Sequence, residues 1–119
     1  YYAGMAFLNT KKYKEAIEYL SDYSAEDEVT GVIAKGAIGD AFMQLNQPKD
    51  ALGYYKQAAT MRDNEFTTPM YLFKAGTTAL QLGEASKALD YFNKIKLEYP
   101  KSTQATDVEV YIGKAEALK

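Results

Sequence analysis

The sequence predicts an all-α fold, a series of antiparallel helix pairs with about seven helices. Three observations predict it. Glycines recur at Gly4, Gly39, Gly76 and Gly113, at intervals of 35, 37 and 37 residues. Alanines recur in the same register at Ala16, Ala51 and Ala88, within the matching segments 15–20, 50–55 and 87–92. Each of the first three glycines precedes its alanine by 12 residues, so two independent markers agree on one period. Finally, apolar residues around both markers fall at helical spacing. Ile38, Ala41, Phe42 and Leu45 surround one glycine, and Leu72, Ala75, Ala79 and Leu82 the next. Ala51, Leu52, Tyr55 and Ala58, then Ala88, Leu89, Phe92 and Ile95, surround the alanines.

The elements follow in order: 1–9, 12–23, 27–45, 48–62, 68–82, 85–98 and 104–118. The breaks inside the pairs are Asn9-Thr10-Lys11, Asn46-Gln47-Pro48 and Gly83-Glu84. Pro48 suits a first helical turn, where its missing N–H would be unpaired anyway, and Gly83 suits a left-handed helix end. Ser24 with Asp27 reads as a variant capping box opening the third helix, and the acids of Glu26-Asp27-Glu28 favour its positive end. Thr68-Pro69 reads as an N-cap followed by Pro at N1. Pro100 stops the sixth helix. Within each pair the glycine and the alanine are small where two axes cross, and the Leu or aromatic four residues after the alanine fills the gap beside them. The units are about 1–26, 27–64 and 68–101, plus the first helix of a further unit at 104–119. The chain reads as a fragment of a longer one.

Composition narrows the function. The 119 residues are 47% hydrophobic and 25% charged, which is globular rather than disordered. Such a mass should expose roughly 6,500 Å² when folded, leaving a real core. Net charge is −2 and Arg62 is the one arginine, so the clustered basic footprint of a nucleic-acid reader is absent. Cys and His are both lacking, which removes thiol nucleophiles, zinc-thiolate sites and imidazole bases. No run approaches the length of a membrane span, so this segment is not expected to insert directly.

With glycine at the eighth repeat position, alanine at the twentieth, an aromatic at the twenty-fourth and Pro100 at the thirty-second, the chain resembles the tetratricopeptide repeat family. The resemblance covers nearly the whole chain and implies a right-handed solenoid that binds protein. Departures are visible: a period of 35–37 against 34, Lys35 and Leu72 at the consensus Trp position, and no Pro at the thirty-second position of the first two copies. More narrowly, Phe92-Asn93-Lys94-Ile95, Glu98-Tyr99-Pro100-Lys101-Ser102, Ala105 and Gly113 resemble the longer repeats of bacterial envelope proteins of the YbgF and BamD type. Tyr2-Ala3-Gly4-Met5 and Ile38-Gly39-Asp40-Ala41 are similar to YfgM-like proteins of Bacteroidetes. That resemblance implies a periplasmic array on the inner membrane, anchored by a helix outside this chain. The alternative is cytoplasmic.

The residues offer little to an enzyme. Asp40 is the most interesting acid. It reads either as an acceptor for a partner's Lys or backbone N–H or as a solvated residue on a helix face. No second carboxylate is spaced to work with it. Ser86 and Lys87 are adjacent and so do not face each other on a helix. Phosphate-binding glycine loops are missing. The eleven tyrosines could stack on bases, but Tyr13, Tyr19, Tyr23, Tyr54, Tyr55 and Tyr91 fall on second helices, where such arrays use aromatics as knobs between units. Met61 reads as core, and Met70 as core or surface. No catalytic residue, cofactor or metal is expected.

The resemblance implies a binding groove lined by positions five, nine, twelve and thirteen of the first helices. Here those are Tyr1, Met5, Leu8 and Asn9, then Gly36, Asp40, Met43 and Gln44, then Phe73, Thr77, Leu80 and Gln81. This apolar wall with a few amides suits an amphipathic helix or an apolar extended segment of another protein. It lacks the basic groove residues of a clamp for a chaperone's terminal carboxylate, with Lys74 alone near such a place. The alternative is a homo-oligomer, or a groove covered by the parent chain, because cutting a solenoid exposes such faces.

Overall fold

A computed structural model describes residues 1–22 and 29–119. Among these residues seven α-helices follow one another: α1 (Tyr2–Asn9), α2 (Tyr13–Ser21), α3 (Val29–Gln44), α4 (Pro48–Met61), α5 (Thr67–Gln81), α6 (Ala85–Glu98) and α7 (Val108–Leu118). No strand occurs among the described residues. The expected cap at Ser24 and Asp27, the acids Glu26-Asp27-Glu28 and the knob at Tyr23 lie outside the described residues.

The three turns inside the pairs are copies of one another. At each, the backbone steps into the left-handed region, at Lys11 (φ 64°), Asn46 (φ 59°) and Gly83 (φ 77°). At each, two reversed hydrogen bonds close the preceding helix. Lys11 N donates to Leu8 O and Lys12 N to Phe7 O; Asn46 to Met43 and Gln47 to Phe42; Gly83 to Leu80 and Glu84 to Ala79. This is the Schellman pattern, and it satisfies carbonyls that a helix end otherwise leaves bare. The next helix starts at once. The amide of the repeat alanine (Ala16, Ala51 or Ala88) donates to the carbonyl of Lys12, Gln47 or Glu84. Pro48 opens α4 as expected.

Two helix starts differ from the sequence reading. α5 begins at Thr67, not at a cap by Thr68. The capping oxygen belongs to Asn64, whose Oδ1 accepts from Phe66 N (2.9 Å) and Thr67 N (2.7 Å). Thr68 lies inside the helix, buried, and accepts from Asn64 N at 3.0 Å. The last helix begins at Val108 rather than 104, after a separate 3-10 turn at Gln104–Thr106. Ser102 Oγ accepts from Ala105 N (3.2 Å), and Thr106 Oγ1 donates back to Thr103 O (2.7 Å). These polar side chains hold the backbone in local bonds that compete with a regular helix.

The small residues sit where the axes cross. Ala16, Ala51 and Ala88 are fully buried. A Cβ placed on Gly4 would lie 2.5 Å from Leu20, one on Gly39 2.7 Å from the Tyr55 ring, and one on Gly76 2.5 Å from the Phe92 ring. Leu20, Tyr55 and Phe92 each stand four residues after the repeat alanine, and all three are buried. The core forms two clusters. One joins Ala16 and Leu20 to Ala34, Ala37 and Ile38. The other runs from Val32 through Tyr55, Leu72, Phe92 and Ile95 to Ala115. Not every expected knob is buried: Tyr19 is 49% exposed and lies across Phe7 at 5.1 Å. Met61 and Met70 pack partly buried against the core.

Each helix packs on its neighbours in sequence, and first helices also touch across units: α1 on α3, α3 on α5 and α5 on α7. Among the described residues the second helices do not touch one another. The first helices therefore form the tighter wall, as in a curved stack. The molecule is elongated, 40 × 28 × 18 Å, and its radius of gyration of 14.2 Å exceeds the about 13.5 Å of a compact globule this long.

Candidate functional site

The wall of first helices carries the residues that sequence reasoning assigned to a groove. Leu8, Asp40, Met43 and Gln44 come together with Lys11, Tyr13 and Tyr55 around one shallow cleft of about 550 Å³. Asn9, Gln44 and Gln81 are exposed, and Tyr1, Met5, Leu8, Met43 and Leu80 are half-buried. The amides thus face solvent beside apolar side chains that are only partly covered.

Three of the assigned residues are committed to internal contacts. Gly36 is buried, and a Cβ on it would lie 2.1 Å from the Tyr71 ring, so it offers a seat for Tyr71 and nothing to a ligand. Phe73 packs edge-on against Tyr111 (4.9 Å) and against Phe92 (5.9 Å), which ties the wall to the core. Thr77 donates back to Lys74 O at 3.1 Å within its own helix.

Asp40 is neither a waiting acceptor nor a merely solvated residue. Lys74 Nζ reaches both of its oxygens, at 3.0 and 3.2 Å, and the Tyr55 hydroxyl donates to Oδ1 at 2.5 Å. The Lys74 ammonium also lies 5.7 Å from the centres of the Tyr55 and Tyr71 rings, which stack on each other at 6.4 Å. An ammonium over an aromatic face is attracted by the ring's negative centre. Burial first, and then the Asp40 carboxylate, push the Tyr55 and Tyr71 hydroxyls well above the ordinary phenol range. The four side chains, drawn from α3, α4 and α5, weld two units together in the middle of the wall. Lys74, the basic residue nearest a clamp position, has its charge matched inside the chain.

Two features extend the site beyond the residues assigned to the groove. Val110 and Leu118 stand one period after Phe73 and Gln81, extend the wall onto α7, and are 61% and 63% exposed. The 37-residue register alone would have found them. A second cleft, of about 720 Å³, opens between the start of α5 and the α6–α7 connection, lined by Phe66, Met70, Tyr99, Pro100 and Thr103 among others. Phe66 there is 85% exposed. A single Phe in a connection has no period to mark it.

Among the described residues no three His, Cys, Asp or Glu gather as metal ligands. Among the described residues no helix is long and apolar enough to cross a membrane. The family model described as tetratricopeptide repeat matches residues 37–103. Among curated proteins nothing matches the chain.

Proposed function

The chain belongs to the tetratricopeptide repeat family, a family whose repeats mediate protein–protein interaction, and from that premise we propose that it is a non-catalytic scaffold holding other proteins or peptide segments against its first-helix wall. The observation that carries this reading is the cleft where Leu8 and Met43 stand open beside the exposed amide of Gln44. Apolar side chains would supply burial, and amides would fix the register of a bound backbone. The expected ligand is an apolar or amphipathic segment. A terminal carboxylate is disfavoured, because Lys74 is already matched by Asp40.

The resemblance of the 92–102 segment to envelope repeats supports a further step: a place in a bacterial envelope assembly or translocation complex, on the periplasmic side, with the anchor outside this chain. A second reading is homo-oligomerisation. Tyr2 at 86% exposure at one end, and Val110 and Leu118 at the other, favour it.

Photocrosslinking in the native cells tests both. The photoreactive residue replaces Gln44, with Lys56, exposed on α4, as control. A distinct protein captured from position 44 and not from 56, and lost on Met43→Glu with helix content unchanged, supports the scaffold. Capture of the parent chain alone moves the assignment to self-assembly, and a mass in light scattering that rises with concentration agrees with that.

A further inference from the structure

The cleft of about 720 Å³ at the start of α5 shares no lining residue with the cleft on the first-helix wall. Its two sides are tied together at the base. The Tyr99 hydroxyl donates to Asp63 Oδ1, and the neighbouring Asn64 accepts from Phe66 N at 2.9 Å. On the other side Ser102 Oγ donates to Tyr99 O at 2.7 Å and accepts from Ala105 N at 3.2 Å. A ligand would find these walls already set and lose little in ordering them. Several lining groups lack partners of their own. Phe66 is 85% exposed, and Met70, also in the lining, is half-buried. The exposed carboxylates of Glu65 and Glu98 make no ion pair or hydrogen bond among the described residues. Gln104 uses its side-chain oxygen to accept from Thr103 Oγ1 at 3.4 Å, and its side-chain NH2 donates to no described residue.

Charge and hydrogen bonding select the occupant. Against Glu65 and Glu98 the lining sets one base, Lys101, so the rim favours a positive ligand. The Gln104 NH2 offers hydrogens that the middle of a helix does not need, because helical carbonyls are paired internally. An extended segment presents free carbonyls along its length. A second copy of this chain does not supply a basic extended segment without unfolding. Among the described residues every Lys and Arg other than Lys101 lies in a helix, at a helix cap or in the closed turn at Lys11. We propose that this cleft binds an extended segment of a partner protein, in which a large apolar residue is flanked by Lys or Arg. The apolar side chain covers Phe66 and Met70, the flanking bases face Glu65 and Glu98, and Gln104 donates to a backbone carbonyl. The site is separate from the first-helix wall and goes beyond the function assigned to it.

The probe is a labelled, C-terminally amidated peptide of sequence SKLVLKS, with SELVLES as its control. Fluorescence anisotropy reports binding to the 119-residue chain, and amide shifts at Phe66 and Gln104 report where it binds. Saturable binding of the basic peptide is expected below about 1 mM, about tenfold or more tighter than the acidic one at low salt. Phe66→Ser should weaken it about tenfold. Glu65→Lys combined with Glu98→Lys should abolish the preference for the basic peptide, and Lys101→Glu should enhance it. These positions are exposed, so the variants keep the fold, which circular dichroism verifies. Met43→Glu, on the first-helix wall, should leave binding unchanged, so failure there and failure here are told apart. No saturable binding at about 1 mM overturns the proposal, as does equal binding of the two peptides. A concentration-dependent dimer lost on Phe66→Ser overturns it in favour of a second copy. Binding to the 119-residue chain but not to the chain as its native cells make it overturns it in favour of a covering segment of the same chain.

Discussion

At the scale of single residues, glycines of one register behave in opposite ways. Gly39 is closed in by the Tyr55 ring and by the Ala51 carbonyl, 3.3 Å from an added Cβ. Gly39→Ala should therefore cost about 1–3 kcal/mol through overpacking. Gly113→Ala meets open space and should stabilise by about 1 kcal/mol, because alanine is the better helix former. Urea denaturation of the two variants measures both signs, and equal shifts would deny that the notches differ. The close-packed glycines were legible in the sequence because two markers repeated together. The committed state of Asp40 was not. Its partners Tyr55 and Lys74 lie 15 and 34 residues away, and helical spacing does not report a meeting between different helices.

The connections divide at the scale of elements. The turns within pairs are the same Schellman closure three times, yet only Gly83 is the residue that the left-handed conformation prefers. Lys11→Gly should raise stability by roughly 0.5–1 kcal/mol, since an L side chain at positive φ carries a local penalty. Asn64→Ala should lower it by about 1 kcal/mol, because the amides of Phe66 and Thr67 lose their acceptor. An unchanged thermal midpoint for Asn64→Ala would mean that water caps α5 equally well. Pro48 and Gly83 announced their turns in the sequence. Lys11 and Asn46 did so only through their position in the repeat. Asn64 was hidden because a Thr-Pro pair beside it looked like the better start, and because a cap set back from the first helical residue depends on the path of the loop.

The whole molecule is held by phenols as well as by aliphatic packing. Burial, and then the hydrogen bond to Asp63, push the Tyr99 hydroxyl up to about 12, and Tyr55 and Tyr71 are raised further. A phenol raised in the folded state binds its proton more tightly there than in the unfolded chain. Its contribution is fully present below pH 10 and is lost as pH climbs through about 12. Stability should stay level from pH 7 to 9 and fall by about 1–3 kcal/mol between pH 10 and 12 on account of Tyr99. In Tyr99→Phe that part of the fall should disappear, and a slope unchanged by the substitution would assign it elsewhere. The stacking order of helices was readable from the repeat, since each unit buries its face only against the next. How far Val110 and Gly113 stay exposed was not, because that depends on what lies beside α7.

The distance from glycine to alanine is 12 residues in every unit, whereas the distance from alanine to the next glycine is 23, 25 and 25. All variation in length falls between the alanine of one unit and the glycine of the next, and none in the turns within pairs. One residue added to a turn such as 10–12 or 45–47 would rotate the following helix by about 100° and swing its large side chain off the glycine. The same residue added near 65 or 103 would lengthen a loop already open to solvent. The chain therefore has two kinds of joint, one that keeps strict register and one that takes up slack. A fluorescent tag, an epitope or a protease site belongs in the second kind.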